Sequence, residues 1–356
     1  VALPNVHPKK AFMIDALEKE IRLSFSKRIK GTLPEPYQAL ISEAKEKDAP
    51  DFKYNEESMP FSAEAKEIAQ LIRQKAPNDE FTPILEKIEQ DAASQGLADP
   101  TLAAVDAFVT SICWVGSKSL SHALACTERC KDRLLAFSAS SSACRKQIIT
   151  SVMDYWRDQR GVGVILIDKL LNYQILTPAS VIEWALIDHV NRGSLLATTW
   201  CYELVNNTTC KVAGRVRSLV AAIRTPGLTE EQKNELQATL NTELEGMKSL
   251  FATIEDAVGS IRDGNQDEMI ESSDALREED EALLRNWGGR WARVFQRKGA
   301  VEESWVREEL ARPIPEPEVK EEIMRDEPLK VDEGQGQING GAAVNGGNAD
   351  ELDGIE

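Results

Sequence analysis

The stretch Gln147–Val190 constrains this chain more than any other. It is the densest apolar region of the sequence and it parses into three short helices. Ile148, Ile149, Val152, Met153 and Trp156 recur at helical spacing, and Gly161 and Gly163 are expected to break that first helix. A second apolar run extends from Val162 to Leu171. Thr177-Pro178 then reads as an N-cap followed by proline at the first helical position, where its missing N–H costs nothing. Val181, Ile182, Ala185 and Leu186 form the buried stripe of the third helix. Short helices with tight joints predict one layer of a helical-repeat domain.

The flanking text is helical as well. Residues 9–31 form an amphipathic helix that ends in Lys27-Arg28-Ile29-Lys30-Gly31, basic residues and then glycine, as helix C-termini favour. Four prolines interrupt residues 32–60, which read as a linker with one short helical piece, Tyr37–Lys47. Ser62 is expected to cap a helix through Lys75, and a shorter helix runs from Phe81 to about Ala93. Asp99-Pro100 opens another, which carries Leu102, Val105, Phe108, Val109, Ile112 and Cys113. Lys118–Phe137 reads as a single helix, with Ser138–Ala143 as a loop or capping segment before the central stretch.

Beyond the central stretch, Ser194 starts a long helix that Thr225-Pro226-Gly227 ends. Thr229 and Gln232 have the spacing of a capping box. The helix they open carries Leu236, Leu240, Leu244, Met247, Phe251, Ile254, Val258 and Ile261, a sustained helical seam. The short joint predicts an antiparallel hairpin. Residues 262–278 are acidic and turn-like, and a last helix runs from about Glu279 to Gln296. From Arg312 the text turns charged and then rich in glycine and asparagine, too poor in large apolar residues to order itself.

Charge narrows the function classes. The chain of 356 residues has a formal net charge of −17, and from Pro313 onward 12 acidic residues face 3 basic ones. The rest remains acidic, which argues against broad binding to a phosphate backbone. No run approaches the roughly 18 apolar residues of a membrane span. The first residues, VALPNVHPKK, lack an apolar signal region and an initiator methionine, which suggests a fragment or a processed chain. Six cysteines show no CxxC spacing, and most lie in apolar helical text, where reduced, buried thiols are expected.

Each candidate for chemistry has a structural alternative. GVGVILID, Gly161–Asp168, has the look of a nucleotide-binding strand, but the third glycine is missing and no phosphate turn precedes a helix. His7, His122 and Asp188-His189 have no spaced partners for a triad or a metal. Asn206-Asn207-Thr208 and Asn207-Thr208-Thr209 match the glycosylation pattern but, without a secretory signal, read as plain helix-surface residues. Trp287, Trp291 and Trp305, interleaved with Arg290 and Arg293, suit base stacking or peptide binding. Alternatively, Trp287, Trp291 and Phe295 are one helix face packed into the core, which the spacing favours. Lys27, Arg28 and Lys30 are the candidate RNA or partner contact, against a solvated helix terminus. No catalytic set, metal site or cofactor site emerges, and the residues alone describe an all-α, non-catalytic chain.

At Met153–Leu186 the sequence resembles the large subunit of the nuclear cap-binding complex. The matching pieces are Tyr155-Trp156-Arg157, Ile165–Leu170, Gln174-Ile175-Leu176 and Val181-Ile182-Glu183-Trp184. His7-Pro8-Lys9 through Leu23–Ile29, Phe52-Lys53-Tyr54 and Ser117–His122 agree in the same order. The resemblance implies a MIF4G-like, HEAT-like helical repeat, an α-solenoid, with a helical hairpin, to which the composition adds a disordered acidic tail. In that reading residues 1–31 end the preceding repeat and 32–60 are a linker. Residues 61–311 are then the C-terminal MIF4G-like domain, and 312–356 are the tail.

The family's large subunit does not grip the methylated guanine itself. It holds a small RNA-recognition-motif subunit in a cap-binding state, so capped RNA is contacted indirectly. The resemblance thus implies a nuclear scaffold that shuttles to the cytoplasm, with roles in splicing, export and nonsense-mediated decay. Its partners would be the small subunit and RNA-processing and export factors, with no membrane and no cofactor. Between Lys211 and Gly264 the hairpin is shorter than in animal members, and Thr225-Pro226-Gly227 replaces their basic stretch. The Gly/Asn-rich tail has no family counterpart, and a fungal origin fits these departures. The alternative is a helical protein–protein adaptor unrelated to cap binding, using the hairpin and the acidic tail.

Overall fold

A computed structural model describes residues 50–188, 195–264 and 278–313, with the side chains of 278–280 excepted. The helix expected over 9–31, the piece Tyr37–Lys47, the start of a helix at Ser194 and the acidic turn after Gly264 lie outside these residues. So does the tail from residue 314. Within the described residues the architecture is all-α, with eleven α-helices and no strand. They are α1 (Ser62–Gln74), α2 (Thr82–Ser94), α3 (Pro100–Gly116), α4 (Leu120–Arg129), α5 (Lys131–Ser140) and α6 (Ser142–Tyr155). After these come α7 (Arg160–Asn172), α8 (Pro178–Glu183), α9 (Thr199–Ile223), α10 (Glu230–Asp263) and α11 (Glu278–Ala311).

The hub of the first half is α3. It packs against α1, α2, α4 and α6 at once. Its sequence explains why: Ala107 through Cys113 is an unbroken buried run, so the helix has no solvent face along that stretch. Asp99 starts it by accepting the backbone N–H of Thr101 at 3.2 Å. At the other end, a side chain on Gly116 would meet the Ala123 Cα at 2.6 Å, so glycine is what lets α4 approach.

From α6 onward, each element packs on near neighbours in sequence, α7 on α6 and α9, α8 on α6, α9 and α10, α9 on α10 and α10 on α11, as in a helical repeat array. Thr177 and Ser180 form a reciprocal capping box at the start of α8, each hydrogen bond 3.2 Å long. A π-helical turn, Trp184–Asp188, continues it, and Trp184 Nε1 donates to Thr150 Oγ1 at 2.8 Å. The trio α9, α10 and α11 follows, with α11 parallel to α9 and antiparallel to α10. Thr229 and Gln232 make the expected capping box for α10. Its seam is buried at Leu240, Met247, Phe251, Ile254, Val258 and Ile261, while Leu236 and Leu244 are half-buried.

Several local expectations are corrected. Ser62 is not an N-cap: Phe61 occupies that position in the left-handed region at φ 61°, and the Ser62 hydroxyl donates to the Tyr54 carbonyl at 2.7 Å. Lys118–Phe137 is two helices rather than one, broken at Cys130. The helix before Gly161 ends already at Tyr155, and Gly161 and Gly163 lie in the first turn of α7. A Cβ on Gly163 would stand 2.7 Å from Met153 Sδ, so this glycine serves packing between α6 and α7. Helix α11 runs to Ala311, well past Gln296. Arg297-Lys298-Gly299 imitates a helix end, but Gly299 lies against the Phe251 ring, where a Cβ would be 3.2 Å from Cγ.

The joint between α10 and α11 is similarly close. A Cβ on Gly288 would sit 2.8 Å from the Arg262 nitrogen and 2.9 Å from the Val258 oxygen, both backbone atoms. Gly288→Ala gains helix propensity but must push the two backbones apart. A net loss of roughly 1 to 2 kcal/mol is expected in urea unfolding. Gly246→Ala, on α10 with nothing within 4 Å of its Cβ position, is the matched control and should not destabilise.

Candidate functional site

The residues before α1 are fastened by one carboxylate. Asp106, on α3, accepts from Lys53 Nζ at 2.5 Å and Tyr54 OH at 2.6 Å on one oxygen. Its other oxygen accepts from Ser151 Oγ at 2.7 Å, with Gln147 Nε2 and Thr110 Oγ1 at 3.5 Å. Tyr54 is buried, and that burial with Asp106 beside it drives its phenol far above the ordinary tyrosine range. It is therefore a permanent donor. Phe52 stacks on Trp114 with centroids 4.2 Å apart, and the Arg73 guanidinium covers the Trp114 ring at the same distance. Tyr155 OH donates to the Pro50 carbonyl at 3.0 Å. Residues 50–56, which the sequence assigns to a linker, are thus packed into the helical body through Phe52 and Tyr54.

A second set of ties fixes α11 to α9. Arg217 makes a two-pronged contact to Glu302, both hydrogen bonds 2.8 Å, and Glu302 is buried. Arg224 donates to the Glu309 carbonyl and, at 2.8 Å, to the Arg312 carbonyl. Lys298 Nζ donates to Asn206 Oδ1 at 2.8 Å and to Thr209 Oγ1 at 2.9 Å. Two-pronged Arg–carboxylate pairs hold orientation as well as distance. The result is a firmly braced three-helix unit.

The residues singled out in the sequence fall into place around these two sets. Gly161–Asp168 lies inside α7, so the strand-like reading fails, and Asp168 pairs with Lys211 at 3.1 Å. His122 sits in the first turn of α4, where its Nδ1 lies 3.0 Å from the Ser119 hydroxyl that caps the helix. His7, His189, Lys27, Arg28 and Lys30 lie outside the described residues. Asn206–Thr209 is mid-helix; Thr208 is fully buried and donates to the Leu204 carbonyl. Trp291 and Phe295 are core residues, with Trp291 Nε1 donating to the Leu196 carbonyl at 3.0 Å and Trp287 half-buried beside them. This is the core-face arrangement, not a stacking platform. Trp305 is also packed against the core, under the Arg217 guanidinium. The Asp106 hub is not legible in the sequence, because apart from Thr110, one turn on, its partners are 41 to 53 residues away along the chain.

Chemistry at sulfur is suppressed. Burial pushes the thiols of Cys113, Cys130 and Cys201 up to about 12, leaving them protonated at neutral pH. Cys126 and Cys144 are buried too, and only Cys210 among the six is exposed. Native labelling with a maleimide, followed by mass spectrometry, should add a single label, at Cys210. The other five should react only in denaturant. Among the described residues no group of three or more His, Cys, Asp or Glu side chains is placed to hold a metal ion. No helix there is long and apolar enough to cross a membrane.

An all-helical body braced across sequence-distant helices is the architecture of an all-α helical repeat. The chain belongs to the MIF4G-like family, whose pattern, described as MIF4G like, matches residues 52–304; a second pattern of that description matches residues 1–35. Among curated proteins it is similar to nuclear cap-binding protein subunit 1 of Schizosaccharomyces pombe, with 29% identity over 252 residues, 71% of this chain and 31% of that protein. The subunit of the same name in Anopheles gambiae is 30% identical over 191 residues, 51% of this chain and 23% of the relative. That of Xenopus tropicalis is 26% identical over 278 residues, 69% and 34% respectively. The resemblance read from Met153–Leu186 is therefore matched by curated homologues. The chain spans about a third or less of the length of these relatives.

Proposed function

We propose that this chain is part of a scaffold subunit of a nuclear cap-binding complex and acts without chemistry of its own. The observation that carries this reading is the 252-residue match to nuclear cap-binding protein subunit 1. The geometry supports it: the helical body presents braced surfaces, and its polar clusters are internal fastenings. On this reading the chain holds a small RNA-recognition-motif subunit in a cap-binding state, and capped RNA is engaged through that subunit. A rigid docking surface helps because the ordering cost is met before the ligand arrives. Nuclear residence with shuttling, and roles in splicing, export and nonsense-mediated decay, belong to the same reading, as do contacts with RNA-processing and export factors. Lys27, Arg28 and Lys30 are its proposed partner or RNA contact, in the region that precedes the 61–311 domain.

Co-expression with a small cap-binding subunit tests the partnership. The two should co-elute as a 1:1 complex in size-exclusion chromatography. Separate elution at micromolar concentration, with other proteins retained instead, would favour a helical adaptor unconnected with the cap.

A further inference from the structure

One face of α11 has no role in either the bracing or the core. Arg290, Arg293, Val294, Arg297 and Val301 are all exposed, and their spacing places them on one side of the helix. Trp291, Phe295, Glu302 and Val306 are buried on the other. The exposed stripe covers about 16 Å along the axis at 1.5 Å per residue. Val294 is 43% and Val301 53% exposed, two of the few large apolar residues so open to solvent.

The arginines of the stripe differ from most of the other arginines in and beside α9, α10 and α11. Arg217, Arg224, Arg262, Arg285 and Arg312 all have a carboxylate partner. Arg290, Arg293 and Arg297 make no ion pair with a described residue, and Arg290 instead lies 5.6 Å from the centroid of the Trp287 ring. Three uncompensated guanidinium groups within three turns stand out in a chain of net charge −17. Across the neighbouring cleft, α10 carries Glu255, Asp256 and Asp263, so acidic surface borders the positive stripe on that side.

We propose that this stripe of α11 docks a short acidic amphipathic helix of a partner protein. Val294 and Val301 are two turns apart and fit apolar residues seven apart on the incoming helix. The arginines flank them and fit carboxylates in paired geometry. Charge complementarity over one Debye length, about 8 Å, suits a short segment. A long polyanion such as RNA would run beyond the strip onto acidic surface, and it has no use for the valines. This proposal is independent of the cap-binding reading.

The test uses the full chain and its variant Arg290→Glu/Arg293→Glu/Arg297→Glu, after equal thermal unfolding confirms that both fold. A displayed library of helical peptides is selected on the wild-type chain and counter-selected on the variant. The expected winners carry Asp or Glu around apolar residues seven apart. Measured by fluorescence anisotropy, they should lose about tenfold or more in affinity for the variant, and the wild-type affinity should fall with added salt. Val294→Asp should weaken them as well. Failure to enrich peptides on the wild-type chain, enrichment without acidic residues, or binding indifferent to charge reversal would overturn the proposal. So would an oligouridylate RNA that binds the stripe when acidic peptides do not.

Discussion

Phe108→Ala should remove about 4 kcal/mol from the unfolding free energy, the largest single effect expected in this chain. Phe108 is fully buried at the centre of α3. Its ring meets Phe81 edge-on at 5.3 Å and Phe137 at 5.8 Å, which links α3 to the turn before α2 and to α5. Alanine would leave a cavity walled by helices that are themselves packed on other partners, so it cannot close by a local shift. Phe108→Leu keeps most of the volume and should cost about 1 kcal/mol. Equilibrium urea unfolding followed by circular dichroism checks both. Similar losses for the two variants would mean that α3 is not the rigid hub described.

Asp106→Ala comes second, at about 3 kcal/mol, through a different mechanism. It strands Tyr54 OH and Ser151 Oγ without an acceptor, and buried donors left unmade cost roughly 1 to 3 kcal/mol each. Lys53 loses its ion-pair partner too, but that side chain is 39% exposed, so solvent screens much of the effect. Tyr54→Phe removes one donor and leaves the carboxylate with its others, so a loss nearer about 1 kcal/mol is expected. Hydrogen exchange supplies the signature of the hub. In Asp106→Ala, protection should fall first at the backbone hydrogen bonds of residues 52–62, before it falls in α10. Uniform loss across the chain would show that Asp106 does not fasten that segment specifically.

These two residues also mark where sequence reasoning succeeds and stops. The caps at Asp99, Thr177 and Thr229 are legible because donor and acceptor lie within three residues. The α10 seam is legible because its period repeats over 26 residues, Leu236 to Ile261. The core role of Trp291 and Phe295 follows from the same spacing. The central stretch Gln147–Val190 does carry the family fingerprint, yet the hub is α3. An all-round buried helix has no amphipathic contrast to advertise its rank. Ser62 looked like a cap, whereas its hydroxyl serves the Tyr54 carbonyl eight residues earlier. The full length of α11 was hidden because Arg217–Glu302 and Arg224–Glu309 hold its second half across 85 residues of sequence. Gly163 reads as a breaker but is, like Gly288 and Gly299, a contact point between helices. Long-range electrostatic and packing partners leave no periodic trace.

In the proposed function this chain serves a cap-binding assembly by ordering another subunit rather than by gripping the cap. The most direct measurement is fluorescence titration of a 7-methylguanosine cap analogue against three samples: this chain, the small RNA-recognition-motif subunit, and the two together. No saturable binding to this chain alone, weak binding to the small subunit, and a marked gain in affinity for the pair are expected. Tight binding by this chain alone, or an affinity of the small subunit unchanged by its presence, would contradict it.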